Sequence, residues 1–275
     1  STQKITSAMK MVAAAKLRRA QEQAIASRPY SVNMEKVVSS LAKKAGTDAP
    51  LLLKGKNNIK TQLLVVFSAD RGLCGGFNSS ITRVVKSQII EANKNNHETK
   101  MLLIGRKCAD ALRRDFGDKF LEVIIGNSAN PNFSDSSLIA EKIIKLFDED
   151  KFGFCKVIFN KFLSAISQEV TIKSLIPINV LQNEDSDSND KSVYEYEPSE
   201  SEILEDILFR NIKTQLFSSQ IESTASELAA RMTAMDNATR NAGEMVDKLT
   251  IQYNRSRQAA ITKELIEIIS GAESL

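Results

Sequence analysis

The feature that most constrains this chain is a run of apolar or small residues near its end. Ile221, Ala225, Leu228, Met232, Met235, Thr239, Ala242, Val246, Leu249 and Tyr253 follow one another in alternating steps of four and three. That spacing is a heptad seam, the stripe by which one helix packs along another. Leu204, Leu208 and Ile212 prolong it upstream, and Ile261, Leu265 and Ile268 resume it after a phase shift near Arg257. A helix from about residue 201 to about residue 270 would be on the order of 100 Å long at ~1.5 Å per residue. No compact domain contains such a rod.

A seam needs a partner, because a lone helix with an apolar stripe is marginal in water. The other long helical pattern lies at the start, with Ile5, Met9, Val12, Ala13, Leu17, Ala20 and Ala24 on one face. Arg28-Pro29 interrupts that pattern, either ending the helix or kinking it. The two ends are therefore expected to form an antiparallel coiled coil, with Met9, Val12, Met232, Met235, Val246 and Leu249 in its seam. The first helix is the shorter, so part of the last must stand unpaired or be held by other subunits. The final residues Ile268, Ile269, Ala272 and Leu275 are apolar where a free end is normally polar, which implies a sheath of other protein.

Between the helices, β-rich runs alternate with amphipathic ones. Strands are expected at residues 62–68, 100–105, 120–125 and 156–162, with helices at 79–95, 106–116 and 134–147. Such alternation predicts a mainly parallel sheet covered on both faces, a three-layer α/β domain, with residues 169–178 adding an edge strand before Pro177. The fold class is thus α/β with long helices. Four regions result: 1–58, the first helix and a linker; 59–182, the α/β domain; 183–202, an acidic loop and foot segment; and 203–275, the last helix.

Charge is unevenly placed. Residues 1–60 hold twelve Lys/Arg against three Asp/Glu, a balance of +9 inside an overall +3, whereas residues 183–202 carry eight acids. The basic segment is either a solvated helix face or a partner-facing surface. Nucleic acid is a poor partner for it, since only Tyr30 interleaves the basic residues and no base-reading motif is present. No apolar run approaches the roughly 20 residues of a membrane span, so membrane association is expected to come through partners. The cysteines, Cys74, Cys108 and Cys155, are odd in number and scattered, which suits a reducing compartment and argues against a disulfide framework.

Catalytic chemistry is hard to find. The segment from Ser68 to Asn78, SADRGLCGGFN, stands where a strand gives way to a helix, the place of a phosphate-binding loop. It matches neither G-x-G-x-x-G nor G-x-x-x-x-G-K-[ST], and reads instead as a tight turn whose glycines permit positive φ and close helix packing. The single histidine, His97, sits in a polar run and cannot by itself supply a triad or a multi-histidine metal site. Catalytic, cofactor and metal residues are all expected to be absent.

Several motifs resemble those of one family. Thr2-Gln3-Lys4-Ile5-Thr6 with Ala8-Met9-Lys10-Met11-Val12-Ala13-Ala14-Ala15-Lys16, then Asp70-Arg71-Gly72-Leu73-Cys74-Gly75-Gly76, resemble the first two signatures of the gamma subunits of F-type ATP synthases. Residues 230–239, ARMTAMDNAT, and 254–265, NRSRQAAITKEL, resemble the third. The resemblance implies a central rotor stalk that couples proton flow through a membrane c ring to ATP synthesis in a hexamer of three α and three β subunits. It implies no cofactor, one copy per complex, and an epsilon subunit beside the foot. Arg257, Gln258 and Thr262 resemble the polar cluster that engages a β-subunit loop. Ile268, Ile269, Ala272 and Leu275 resemble the tip turning in an apolar sleeve, and Tyr194, Tyr196 and Glu197 the foot segment near epsilon and the c ring. The basic first helix would face acidic β-subunit loops. Family members usually begin further upstream, so a short paired length is expected. Residues 126–202 lack the paired-cysteine insertion of plastid forms, which points to the cytoplasmic face of a bacterial membrane or to the matrix side of a mitochondrial one. The rival reading is a nucleotide-dependent enzyme on the α/β domain, with the helices serving for dimerisation.

Overall fold

A computed structural model describes residues 1–45, 50–126, 131–178 and 200–273. Two helices set its length. Helix α1, Thr2–Ala45, has 44 residues, and α6, Glu200–Glu273, has 74, about 110 Å at ~1.5 Å per residue. They run antiparallel, from Gln3 beside Gly243, through Thr6 against Thr239 and Lys10 against Asp236, to Arg28 against Glu222. Pro29 does not end α1, which continues for four more turns beyond it. A proline in a helix forgoes one backbone hydrogen bond, and here packing against α6 outweighs that loss.

The inserted domain is a five-stranded sheet of order β3-β2-β1-β4-β5. Its strands are β1 (Thr61–Phe67), β2 (Glu98–Ile104), β3 (Phe120–Ile124), β4 (Phe154–Phe162) and β5 (Gln168–Ile176). The first four are mutually parallel, and β5 returns antiparallel along β4 as the edge. Helices α3 (Phe77–Lys94) and α4 (Arg106–Phe116) cover one face, while α5 (Phe133–Asp148) and α6 cover the other. The short α2, Leu51–Lys54, joins that second side.

Side chains of the central strands alternate between the two layers. Leu64, Val66, Met101 and Leu103 pack with Ile81, Val85 and Ile89 of α3 and Leu112 of α4. Leu63, Val65, Leu102 and Ile104 pack with Ile143 and Phe147 of α5 and with Leu208, Ile212 and Leu216 of α6. Double coverage explains why β1 reads as an unbroken apolar run. Each fully buried Leu or Ile contributes about 1.5–3 kcal/mol relative to exposure.

The seam differs from expectation at both ends. Met235 is buried and Met232 and Met9 are partly so, but Val12 is exposed, as are Val246 and Leu249. On α1 the contact line is Gln3, Thr6, Lys10, Ala13, Leu17, Ala20 and Ala24, so Val12 lies one position, about 100° of helix, away from it. Val246 and Leu249 lie past the end of α1, and the helix there has no partner among the described residues. In its middle, by contrast, α6 is enclosed almost all round. Asn211, Gln215, Gln220, Glu222, Ser226 and Glu227 are buried with the apolar residues, because α1, α5 and the strand ends surround that stretch.

Candidate functional site: strand-end joint and projecting helix

In an open α/β sheet, ligands bind outside the carboxyl ends of the strands where the strand order reverses. Here that point lies between β1 and β4, and α6 occupies it. Ser226 Oγ donates to Asn160 O at 2.9 Å, and the Glu222 carboxylate accepts the Phe162 N–H at 3.0 Å, both at the end of β4. Arg231 donates to Gly72 O at 3.3 Å in the loop after β1, and Thr233 Oγ1 to Ala165 O at 3.3 Å in the β4–β5 hairpin. Gly75, at φ +56°, makes the left-handed turn that brings the loop against Ala234, where an added Cβ would be at ordinary contact distance, 3.7 Å. The loop is thus a seat for a helix. Its own shape is held by Asp70, whose carboxylate accepts the N–H groups of Arg106 and Gly126, and by Asn78 Oδ1, which accepts the Ala69 N–H.

Two ion pairs sit in this joint. Arg28 Nε meets Glu222 Oε1 at 2.7 Å, and a second Arg28 nitrogen donates to Phe162 O at 3.1 Å. Arg231 meets Glu227 at 2.6 Å one turn along α6, with both side chains mostly buried. Burial pushes the Glu227 carboxyl up from its ordinary pKa, and the Arg231 charge and hydrogen bond oppose that rise. The sequence marked Arg28 only as part of an interruption and Arg231 only as part of a motif, and it singled out neither glutamate. The signal available was slight: Glu222 and Glu227 fall within a stretch of small residues, where a charge is expensive to bury unless paired.

The thiols are inert by placement. Burial raises all three, Cys108 to about 11 and Cys155 further still, while at Cys74 the nearby Glu227 charge adds to the effect of burial. Since the thiolate is the reacting form, Ellman's reagent at pH 8 is expected to titrate none of them in the folded chain and all three after denaturation. A fast-reacting thiol in the native chain would contradict this packing. His97 is half-buried rather than simply solvated, with its ring edge-on to Phe154 at 4.9 Å. Among the described residues no group of His, Cys, Asp or Glu could hold a metal ion, and no helix is long and apolar enough to cross a membrane.

Beyond Gly243, where α1 begins, every α6 residue from Glu244 to Ala272 is exposed. This bare helix extends for about 43 Å at ~1.5 Å per residue. Its apolar side chains form a stripe through Val246, Leu249, Tyr253, Ile261, Leu265 and Ile268. Arg257 falls on the stripe, four residues after Tyr253 and four before Ile261. Steps of four, in place of four and three, turn the stripe gradually around the helix and account for the phase shift. Gln258 and Thr262 stand beside it, with Thr262 Oγ1 bonded back to Gln258 O at 2.9 Å. Ile268, Ile269 and Ala272 are exposed near the helix end; Leu275 lies outside the described residues, as do Tyr194, Tyr196 and Glu197.

Comparison with known proteins gives one answer. The family model described as ATP synthase matches residues 1–275. The ATP synthase gamma chain of Paramagnetospirillum magneticum is 52% identical over 280 residues, covering 100% of this chain and 95% of the relative. That of Beijerinckia indica is 50% identical over 278 residues, with the same coverage. Among solved structures, a chain from the central stalk and c ring of the Tetrahymena thermophila mitochondrial ATP synthase is 28% identical with a TM-score of 0.65, covering 86% of this chain and 99% of that one. A Euglena gracilis mitochondrial ATP synthase chain, 19% identical with a TM-score of 0.62, shares the fold. Whole-length matches of this kind, on a chain whose paired end helices enclose an α/β domain, place it in the gamma-chain family of ATP synthase, the central rotor stalk of that complex.

Proposed function

We propose that this chain turns inside a hexamer of three α and three β subunits and carries no catalytic residue of its own. The observation that carries the reading is the exposed apolar stripe of α6 through Ile261, Leu265 and Ile268, which is unfavourable in water unless other protein surrounds it. The absence of chemistry is supported by the helix filling the strand-end crevice, by the buried thiols, and by the lone histidine against Phe154. In this reading one copy serves each complex. The foot meets an epsilon subunit and a membrane c ring, and the chain is peripheral on the cytoplasmic face of a bacterial inner membrane, the side suggested by its bacterial relatives. Proton flow turns the ring and the stalk, and an asymmetric rod presents different contacts to each β subunit at each angle. Rotor angle and nucleotide affinity are linked only through such differences.

Reconstitution with α and β subunits from the same organism tests the proposal. A stable ATPase with one copy of this chain per three αβ pairs is expected; chains that elute apart from the hexamer would sink it. Within that complex, Arg257, Gln258 and Thr262 contact a β-subunit loop. Arg257→Ala with Gln258→Ala is therefore expected to lower ATPase activity by about fivefold or more, the effect of roughly 1 kcal/mol of lost contact. The melting temperature of the isolated chain should not change, since both side chains are exposed. Loss of the fold along with the activity would make these residues structural.

A further inference from the structure

The joint holds a closed polar contact beside its apolar packing. Arg28 of α1, Glu222 of α6 and Phe162, the last residue of β4, form a closed ring of polar contacts. Glu222 Oε1 takes the Arg28 Nε–H and Glu222 Oε2 takes the Phe162 N–H, while a second Arg28 nitrogen donates to the Phe162 carbonyl. Three elements distant in sequence thus meet at one peptide, through charge-assisted bonds whose directions are fixed by two planar groups.

The surroundings make that ring mechanically important. The neighbouring apolar cluster between the helices is made of Leu17 and Ala20 on α1 and Ala225, Leu228 and Ala229 on α6. Three of these five are alanines, which bring helices close but interdigitate little, so the stretch has few large knobs to resist sliding and twisting. A buried ion pair adds little net stability over an apolar pair of the same shape, and its best-attested use is to fix register. From Glu222 to Thr233 is about 16 Å of helix at ~1.5 Å per residue, and within it lie the polar ties from α6 to the ends of β4 and β1 and to the β4–β5 hairpin. Past it α6 is accompanied by α1 as far as Gly243, and from Glu244 it is exposed. Torque passing between the α/β domain and the projecting helix runs through this segment and through α1, which touches the domain at Lys173 and meets α6 again at Asp236 and Thr239, and the ring joins the two routes.

We propose that Arg28 and Glu222, closed on Phe162, are a register lock: positioning residues that join the two stalk helices and the sheet into one torsionally stiff body. This rests on the rotor reading above. Glu222→Gln is nearly isosteric but can accept from only one of its two donors, and in Arg28→Lys a single ammonium replaces a fork that spans two acceptors. Both variants keep a polar group in place and are expected to fold.

The test uses the reconstituted complex with its hexamer fixed to a surface and a bead attached at Lys94→Cys, an exposed site at the end of α3; the native thiols, being buried, stay unlabelled. Angular fluctuation of the paused bead reports the stiffness between domain and hexamer. If the Arg28–Glu222 ring and the three other ties from α6, at Ser226, Arg231 and Thr233, share the load equally, losing the ring leaves three quarters of the stiffness, so the angular variance should rise by about a third in each variant while ATPase activity stays within about twofold. Unchanged variance in both variants, even with a lowered melting temperature, overturns the lock and leaves the rotor reading intact. A Lys94→Cys chain with native Arg28 and Glu222 that fails to join the hexamer or to rotate overturns both.

Discussion

Alanine in place of Gly105 is expected to cost about 4 kcal/mol and to leave the α/β domain largely unfolded at 37 °C. Gly105 ends β2 at φ +105°, a conformation that residues with a Cβ rarely adopt, and there is no room for the added atom. A Cβ there would stand 2.1 Å from Ser68 O and 2.6 Å from Ser68 C, both backbone atoms of the segment that leaves β1. Neither can yield, because the Ser68 N–H bonds Ile104 O at 2.7 Å and the Gly105 N–H bonds Ile124 O at 2.8 Å. The ends of β1, β2 and β3 are thereby fixed to one another. Backbone strain of about 1–3 kcal/mol and overpacking of similar size add to a large part of the 5–15 kcal/mol that holds a typical domain together. Thermal denaturation followed by circular dichroism checks it. Gly117→Ala is the control: Gly117 has φ −62°, a Cβ there would come no nearer than 3.8 Å to another residue, and the change should be neutral or slightly stabilising. Similar melting curves for the two variants would refute the account.

The same crowding shows what the sequence could and could not reveal. Strand and helix positions in the α/β domain were legible to within about two residues, because strands buried on both faces must be apolar throughout and their connecting helices amphipathic. The long helices were legible from period alone. Periodicity found the face of α1 that meets α6 from Ala13 to Ala24, but not in the first turns of the helix. Apolar character singled out Ile5 and Val12, yet α1 turns Gln3, Thr6 and Lys10 to its partner, where Thr6 bonds Thr239 and Lys10 pairs with Asp236, leaving Ile5 and Val12 exposed. A polar seam of this kind is invisible to a hydrophobic count. The joint was hidden for a related reason. Glu222, Glu227, Arg28 and Arg231 look like surface charges on helices until α6 is seen seated on strand ends contributed by residues far away in the chain. The projecting helix was the easier inference, since it followed from comparing the lengths of two patterns.

That helix carries the second large expectation. Ile261→Gln, Leu265→Gln and Ile268→Gln together should leave the isolated chain folded and abolish its place in the hexamer. All three side chains are exposed. Glutamine is as good a helix former as isoleucine or better, so neither packing nor helix propensity within the chain is lost. In the proposed complex each side chain enters an apolar sleeve, where burial is worth about 1.5–3 kcal/mol. Losing about 5 kcal/mol for the three corresponds to more than a thousandfold in the dissociation constant. Sedimentation of the mixed subunits measures the association, and circular dichroism of the isolated variant measures the fold. A variant that binds the hexamer as tightly as the unaltered chain would mean that the stripe is not what the hexamer grips. In that case the polar positions Arg257, Gln258 and Thr262 would have to hold the rod alone. The charged contact of Arg257 fades with salt, where apolar burial does not. Association of the unaltered chain that persists in high salt would therefore assign the grip to Ile261, Leu265 and Ile268, and leave Arg257, Gln258 and Thr262 to set the angle at which the rod is held.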